Sequence, residues 1–546
     1  MNGFFLNSFV RPRAGFVYVE RLLVICFLFF TPCLYAESEF ALRLAPVVEV
    51  PVRLPQFRSG IGASAALDWA FWPFAAKFDL GVCAGGVFLN MPVKTGDPIS
   101  FFEAKAGPFI RFRPFDRWGF RAGVSAGVFQ FTRGEANGFK SLVTSALGLD
   151  FHLSPYFSLF AEGGYTYRIF SEGLPFSSFG AAVGLRFSLS EIVSGRTRVH
   201  VEKSGQYRVF PVSWAWYEHN PVAAVKITNE EPNAITDVSF SLFMDSYMGR
   251  PYNFAVLSRL TSGGSAEVPV TALFNEVMLG LTENVSANGV IQIQYRSLGA
   301  RKETSFPLQM PIFHRNTLSW DDDRRAAAFV SSRDSAARLF ARYVASIVDL
   351  HLESGQASPG ILNVPKNVRY AAAMFEALGL YGISYLVVPS MSFVNLHADE
   401  SALDNLTYPY ETLYYRGGDC TYISILFCSL LEVLGIETAF ITIPGHLYMA
   451  FDVGDRDWMV QKQEIVEIEG RRWLPLEITV PEEGFIRAWR IGAREWQISG
   501  DDAALYPIHE CWKVYPSVTV TASVDYPPEM PPGFDIVEAM EAELAK

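Results

Sequence analysis

The chain has 546 residues, 50% of them hydrophobic, and a formal net charge of -12 at pH 7. That length is too great for one hydrophobic core and predicts three or four domains. The acidic balance argues against a nucleic-acid partner, and six widely spaced cysteines do not make a disulfide scaffold.

Leu22 to Leu34 form an apolar stretch behind Arg11, Arg13 and Arg21, with Ala36 as a candidate cleavage site. This predicts a secretory signal over residues 1–36, too short to cross a bilayer. Residues 40–190 then alternate with period two. Ile61, Ala63, Ala65, Leu67, Trp69 and Phe71 share one face; Gly62, Ser64, Ala66, Asp68 and Ala70 share the other. The same split recurs near the end, Phe179, Ala181, Val183 and Leu185 against Gly180, Ala182, Gly184 and Arg186. Eight such strands are expected, with longer links after odd strands and tight turns after even ones, at Pro73, 114–116 and 154–155. The pattern predicts an eight-stranded transmembrane β-barrel in contact with outer-membrane lipid. It resembles the small anchor barrels that carry a periplasmic domain after their last strand. Asp68, Asp79, Glu103, Asp150 and Glu162 fall on the polar face with Lys77, Lys105, Arg111, Arg121, Arg168 and Arg186. Paired charges of that kind would fill so narrow an interior, so an anchor is expected and not a pore.

Residues 196–312 alternate with ordinary polar content and turn signals, and predict an immunoglobulin-like β-sandwich serving as spacer or docking module. Apolar residues at helical spacing follow over Arg324–Leu350 and Val368–Leu378. Asp321, Asp322 and Asp323 are expected to cap the first of these, because they lack the ligand spacing of a calcium loop. After Pro532 the acidic tail, 533–546, reads as a short amphipathic helix.

The chemistry concentrates between these elements. Gly418-Asp419-Cys420 opens an apolar run that ends at Gly435-Ile436, and Pro444-Gly445-His446 opens an alternating stretch some ten residues on. A cysteine at a helix start meets backbone N–H groups and the positive end of the dipole, which favour thiolate. A histidine at the head of the next strand can hold that thiolate as an ion pair. Cys428, mid-helix with no glycine turn, reads as core. For the acid that orients the imidazole, Asp452 lies six strand residues away, about 20 Å. Glu477 lies in Trp473-Leu474-Pro475-Leu476-Glu477-Ile478-Thr479, where Trp473 is a candidate to line the site. His397, with Asp399 and Glu400, reads as a solvated loop, and His219, His314 and His509 read as structural.

These motifs, with Tyr408-Pro409-Tyr410-Glu411-Thr412-Leu413, resemble the bacterial branch of the transglutaminase-like superfamily over roughly residues 315 to 485. The resemblance implies an α+β, papain-like domain over 316–532, with catalytic Cys420, His446 and Glu477 and with no cofactor and no metal. Many relatives carry two acidic residues where this chain has Thr421-Tyr422. The implied activity is that of a cysteine protease, amidase or acyltransferase acting on amide bonds of an envelope protein or peptide from the periplasmic face. The alternative is a catalytically silent envelope protein that uses the same domains for binding.

Overall fold

The computed structural model describes residues 38–132 except 76, 139–170, 176–194, 197–386, 402–455, 458, 464–520 and 528–546. The expected signal segment, 1–36, and His397, Asp399 and Glu400 lie outside them.

The alternating region closes into a barrel of eight antiparallel strands. They are β1 (Glu39–Pro51), β2 (Gly60–Ala75), β3 (Phe78–Met91), β4 (Ile99–Phe115), β5 (Trp118–Thr132), β6 (Lys140–His152), β7 (Phe157–Arg168) and β8 (Phe176–Ser188). Each pairs with the next, and β1 pairs with β8, so no edge is left open. Pro73 does not make the first tight turn as expected. It sits inside β2 beside register shifts, where a residue without an N–H is tolerated, and residues 76–77 separate β2 from β3.

The two faces divide as the alternation requires. Apolar side chains stand outward; Ile61 is 67% exposed and Leu147 71% exposed. Inside, Arg43 and Arg121 converge on Glu162 at 2.7 and 2.9 Å, and Arg121 reaches Asp68 at 3.3 Å. Nearer the other end Arg168, fully buried, bonds Glu103 through Nε at 2.6 Å and Glu49 through Nη2 at 2.8 Å. Arg43, Glu39 and Glu49, all on β1, are interior charges that the sequence reading did not single out. Together these pairs leave an interior cavity of about 100 Å³. A buried carboxylate is costly alone and tolerable when paired and hydrogen-bonded, which is why opposite charges meet here.

A short helix, α1 (Leu189–Ser194), leads to seven strands: β9 (Val199–Gln206), β10 (Ala223–Asn229), β11 (Ile235–Phe243), β12 (Tyr252–Leu260), β13 (Ser265–Val270), β14 (Val285–Ser297) and β15 (Ala300–Ile312). They form two antiparallel sheets, ordered β13-β10-β9 and β12-β11-β14-β15, over one core that includes Val225, Ile227, Phe240 and Ile293. Two joints fix this sandwich against the tight-turn end of the barrel. Asp116, between β4 and β5, accepts from Ala234 N at 3.3 Å and from Arg259 at 2.9 Å. Lys302 of β15 is buried between Glu191 of α1 and Glu231, each at 3.0 Å, and Tyr295 also donates to Glu231 at 2.8 Å. Replacing Lys302 by Met would remove the cation shared by Glu191 and Glu231, leaving Arg198 on the first and Tyr295 on the second, at a cost of about 1–3 kcal/mol. In detergent, Lys302→Met is expected to open the 189–198 connection to limited proteolysis well before the wild-type chain is cut there. Equal cleavage rates would mean that the joint does not depend on this cation.

The remaining body packs helices on a five-stranded antiparallel sheet. The helices are α2 (Ser335–Glu353), α3 (Lys366–Tyr381), α4 (Pro409–Tyr415), α5 (Cys420–Val433), α6 (Phe485–Ser499) and α7 (Gly533–Leu544). The strands are β16 (Thr438–Ile443), β17 (His446–Asp452), β18 (Val466–Ile468), β19 (Arg471–Leu476) and β20 (Ala504–Pro507), ordered β18-β19-β17-β16-β20. Arg324–Leu350 is not one helix. A 3-10 turn over Asp323–Phe329, capped by Asp322 onto Arg324 N, gives way to α2, which Asp334 starts afresh by accepting from Ala337 N at 3.0 Å. The tail helix α7 buries Ile536 and Met540 in the same core as α2, α3 and α5. Arg325 joins this body to the sandwich region, 5.1 Å from the Trp216 ring, 5.2 Å from Tyr515 and 5.8 Å from Phe210, with Asp321 at 2.9 Å.

Candidate active site

Asp419 caps α5 by accepting from Tyr422 N at 3.0 Å, which sets Cys420 at the first position of the helix. The helix closes with Ile436 N on Leu431 O at 3.1 Å. The Tyr408–Leu413 motif buttresses this entry from behind. Glu411 closes a capping box onto Tyr408 N at 2.9 Å and accepts from Asn316 at 2.7 Å and Arg315 at 3.3 Å.

Pro444 and Gly445 form the turn between β16 and β17. Gly445 has φ 79°, open to glycine at little cost, and Ile443 pairs with His446 across the turn. His446 therefore begins β17. The ladder of β17 with β19 ends at the pair Met449 and Leu476. Glu477 stands one residue past it, diagonal to His446 and within side-chain reach. His446 Nε2 and Glu477 Oε2 lie 2.6 Å apart. The Cys420 side chain acts on the same imidazole and favours its charged form. The three expected residues are thus brought together in the order thiol, imidazole, carboxyl. Asp452 is not among them: it pairs with Trp473 at the far end of β17, and its carboxylate accepts from Gly454 N at 3.0 Å.

Burial works against a charge on His446, but Cys420 and Glu477 outweigh it and push the imidazole up to about 10. Burial likewise opposes ionisation of Glu477. The hydrogen bond and the charge of His446, with Thr479, hold that carboxyl below its usual range. Thr479 donates to Oε1 through its N–H at 2.9 Å and through its hydroxyl. His446 also stacks on Tyr448, ring centres 5.6 Å apart, and Tyr448 donates to Gly492 O at 3.1 Å. Ring orientation is thereby determined from two sides.

Trp473 does not line the site. It is 1% exposed, in a separate cluster with Tyr448 and Val466, four strand residues or about 13 Å along β19 from Glu477. Cys428 is core as expected, and burial raises its thiol. His509 contacts Glu432 at 2.9 Å, and His314 accepts from Asn316 N at 3.0 Å, both away from the thiol.

Two neighbours were not anticipated. Tyr385, paired in parallel with Gly418, is partly exposed, and its hydroxyl is raised by burial and by the negative charge of Cys420. Glu495 of α6 brings a second carboxyl to Glu477. The trio His446, Glu477 and Glu495 offers atoms within 4.8 Å of one another, a spacing a metal ion could use. His446 Nε2 and Glu477 Oε2 are already closed on each other, so the trio reads as that pair with Glu495 beside it and not as ligands. Gly492 makes this approach possible. A Cβ there would meet Glu477 N, Leu476 N and the Pro475 carbonyl carbon at 3.1 Å, so α6 lies directly on the strand that presents Glu477. The visible signal in the sequence was one glycine and one acid a single helical turn apart.

No family model matches the chain, and no curated protein matches it. Among solved structures it is similar to Neisserial surface protein A (12% identity, 28% of this chain and 97% of that one, TM-score 0.21). It is also similar to the outer membrane protein Ail of Yersinia pestis (15%, 28% and 100%, TM-score 0.19) and to the outer membrane protein OprG of Pseudomonas aeruginosa (10%, 28% and 95%, TM-score 0.19). These scores are low for the whole chain, and the barrel stands on its own strands and register.

Proposed function

We propose that the chain is an outer-membrane-anchored, periplasm-facing thiol hydrolase or acyltransferase acting on amide bonds of envelope proteins or peptides. The observation that carries the reading is the continuous line from the Cys420 thiol through His446 to Glu477, closed at 2.6 Å on the carboxyl side. In this reading thiolate and imidazolium are the resting pair. Cys420 sulfur adds to the amide carbonyl, and the oxyanion is met by backbone N–H groups at the start of α5. His446 gives its proton to the departing amine, leaving a thioester. It then takes a proton from water or from an acceptor amine, whose attack releases the acyl group and restores the thiol. Water is the commoner acceptor at an open site, which favours hydrolysis. The resemblance to transglutaminase-like proteins supports the same chemistry.

The anchor reading rests on the outward apolar face and the ion-paired interior, the reverse of a soluble barrel. Both barrel ends, Glu39 and Ser188, lie on the side of the tight turns, with the sandwich against them. In such barrels that side faces the periplasm. Protease added to intact cells is therefore expected to spare residues 196–546. Digestion before the outer membrane is permeabilised would reverse the topology. For the chemistry, the full chain in detergent is incubated with a thiol-directed activity probe and an envelope extract. Wild type is expected to be labelled and Cys420→Ser not; equal labelling of both would remove the nucleophile.

A further inference from the structure

Behind the line of Cys420, His446 and Glu477 stands another acid. Glu495 holds a carboxyl oxygen within 4.8 Å of a Glu477 oxygen and of a ring nitrogen of His446. Two carboxylates that close in a buried site do not both ionise readily, and one of the pair takes up a proton. Glu477 already accepts from the Thr479 N–H and hydroxyl and from the imidazole. Glu495 Oε2, by contrast, is buried with no hydrogen-bond partner among the described residues. The proton therefore belongs to Glu495.

We propose that Glu495 is a positioning residue of this site: as a carboxylic acid it leaves Glu477 as the one negative charge behind the imidazole, and on ionising it adds a second. The proposal rests on the thiol–imidazole reading above and concerns its regulation by pH. Burial, then the charge of Glu477, push the Glu495 carboxyl up to about 7, against the smaller opposite pull of His446. Tyr448, also buried, is a further titratable group in electrostatic contact with it. The other charged groups packed on α6 are distant: Glu376 of α3 and Glu543 of α7 bind the N–H groups of Phe485 and Ile486. Nine helical residues, about 13 Å, separate Ile486 from Glu495. Arg487 and Arg490 pair with Glu483 and Glu464. When Glu495 ionises, its proton passes to solvent and the imidazolium is held by two carboxylates. It then becomes a poorer proton donor to a leaving amine, so turnover falls as pH rises through about 7.

The test uses the full chain in detergent with histidine labelled at ring carbon, the His446 signal being identified by its loss in His446→Gln. In wild type, that signal is expected to shift near pH 7 as Glu495 ionises, before the ring itself titrates. In Glu495→Gln the shift disappears, and the ring titrates about one pH unit lower, the size of effect a neighbouring charge produces. Iodoacetamide alkylation of Cys420 should lose its inflection near pH 7 in the same variant. A wild-type signal flat through pH 7, or a Glu495→Gln titration that matches wild type, overturns the proposal. The wild-type arm stands even where the variant does not fold. Because the ring signal needs no turnover, an inert Cys420 with an intact inflection would count against the enzymatic reading and not against this one.

Discussion

Glu477→Gln is expected to lose about 10³–10⁴-fold in turnover of any amide substrate or probe while leaving the fold in place, the usual consequence of removing an orienting acid. The amide keeps the shape of the side chain and can still receive the Thr479 N–H at Oε1. What it loses is the charge facing His446 Nε2 across 2.6 Å, and with it the preference for imidazolium beside the thiol. Asp452→Asn should keep nearly full turnover, because that carboxylate serves a turn at Gly454. Rates of both variants, measured with the same probe and at the pH optimum of wild type, give the comparison. The reverse ranking would dissolve the Cys420–His446–Glu477 assignment. Full activity in both would leave a bare thiol–imidazole pair.

Iodoacetamide at pH 6.5 should modify Cys420 well before Cys428 or Cys511. Burial raises both of the latter thiols, Cys511 to about 12, so at that pH the thiolate population of Cys511 is below about one part in 10⁵ and burial disfavours that of Cys428 as well. Of these three, Cys420 acts on an imidazole and favours its charged form. Its exposure is only 5%, so the absolute rate is governed by access as well as by charge. Mass-spectrometric counting of modified cysteines over time, with the barrel's Cys83 as an internal comparison, reads the order directly. Labelling at Cys420 that is no faster than at Cys428 would remove the argument for a nucleophile.

Much of this arrangement could be read from residues in order, for a physical reason. Barrel strands face two different solvents, so every second residue is constrained, and Ile61, Ala63, Ala65 and Leu67 announce their face without tertiary knowledge. A cap, a turn and a strand start are likewise local, which is why Asp419, Pro444 and Gly445 located Cys420 and His446. Glu477 was legible only through distance along a strand and the resemblance of its surroundings. Where two elements must meet, local pattern falls silent. Glu495 is one polar residue on an amphipathic helix until Gly492 brings that helix onto β19. Trp473 looked close to the site because it is near Glu477 in sequence, yet four strand residues set the two about 13 Å apart on one face of β19. The interruption of Arg324–Leu350 shows the opposite case. The apolar spacing resumes after the polar run Ser331–Ser335, where Asp334 offers α2 a new cap and the buried Val330 ends the preceding turn.

The two joints between barrel and sandwich, at Asp116 and at Lys302, turn what could have been a leash into a strut. A leashed domain sweeps a volume and meets whatever wanders through it, with an effective concentration set by the leash length. A strut holds its far end at one standoff from the bilayer and turns it in one direction, like a tool on a fixed arm. With Arg325 clasped by Trp216, Tyr515 and Phe210 at the next junction, the same rigidity carries through to the body that bears Cys420. Under the proposed function, distance from the bilayer would then select what the thiol can meet, and lengthening or shortening the sandwich would change that selection without touching a residue of the site.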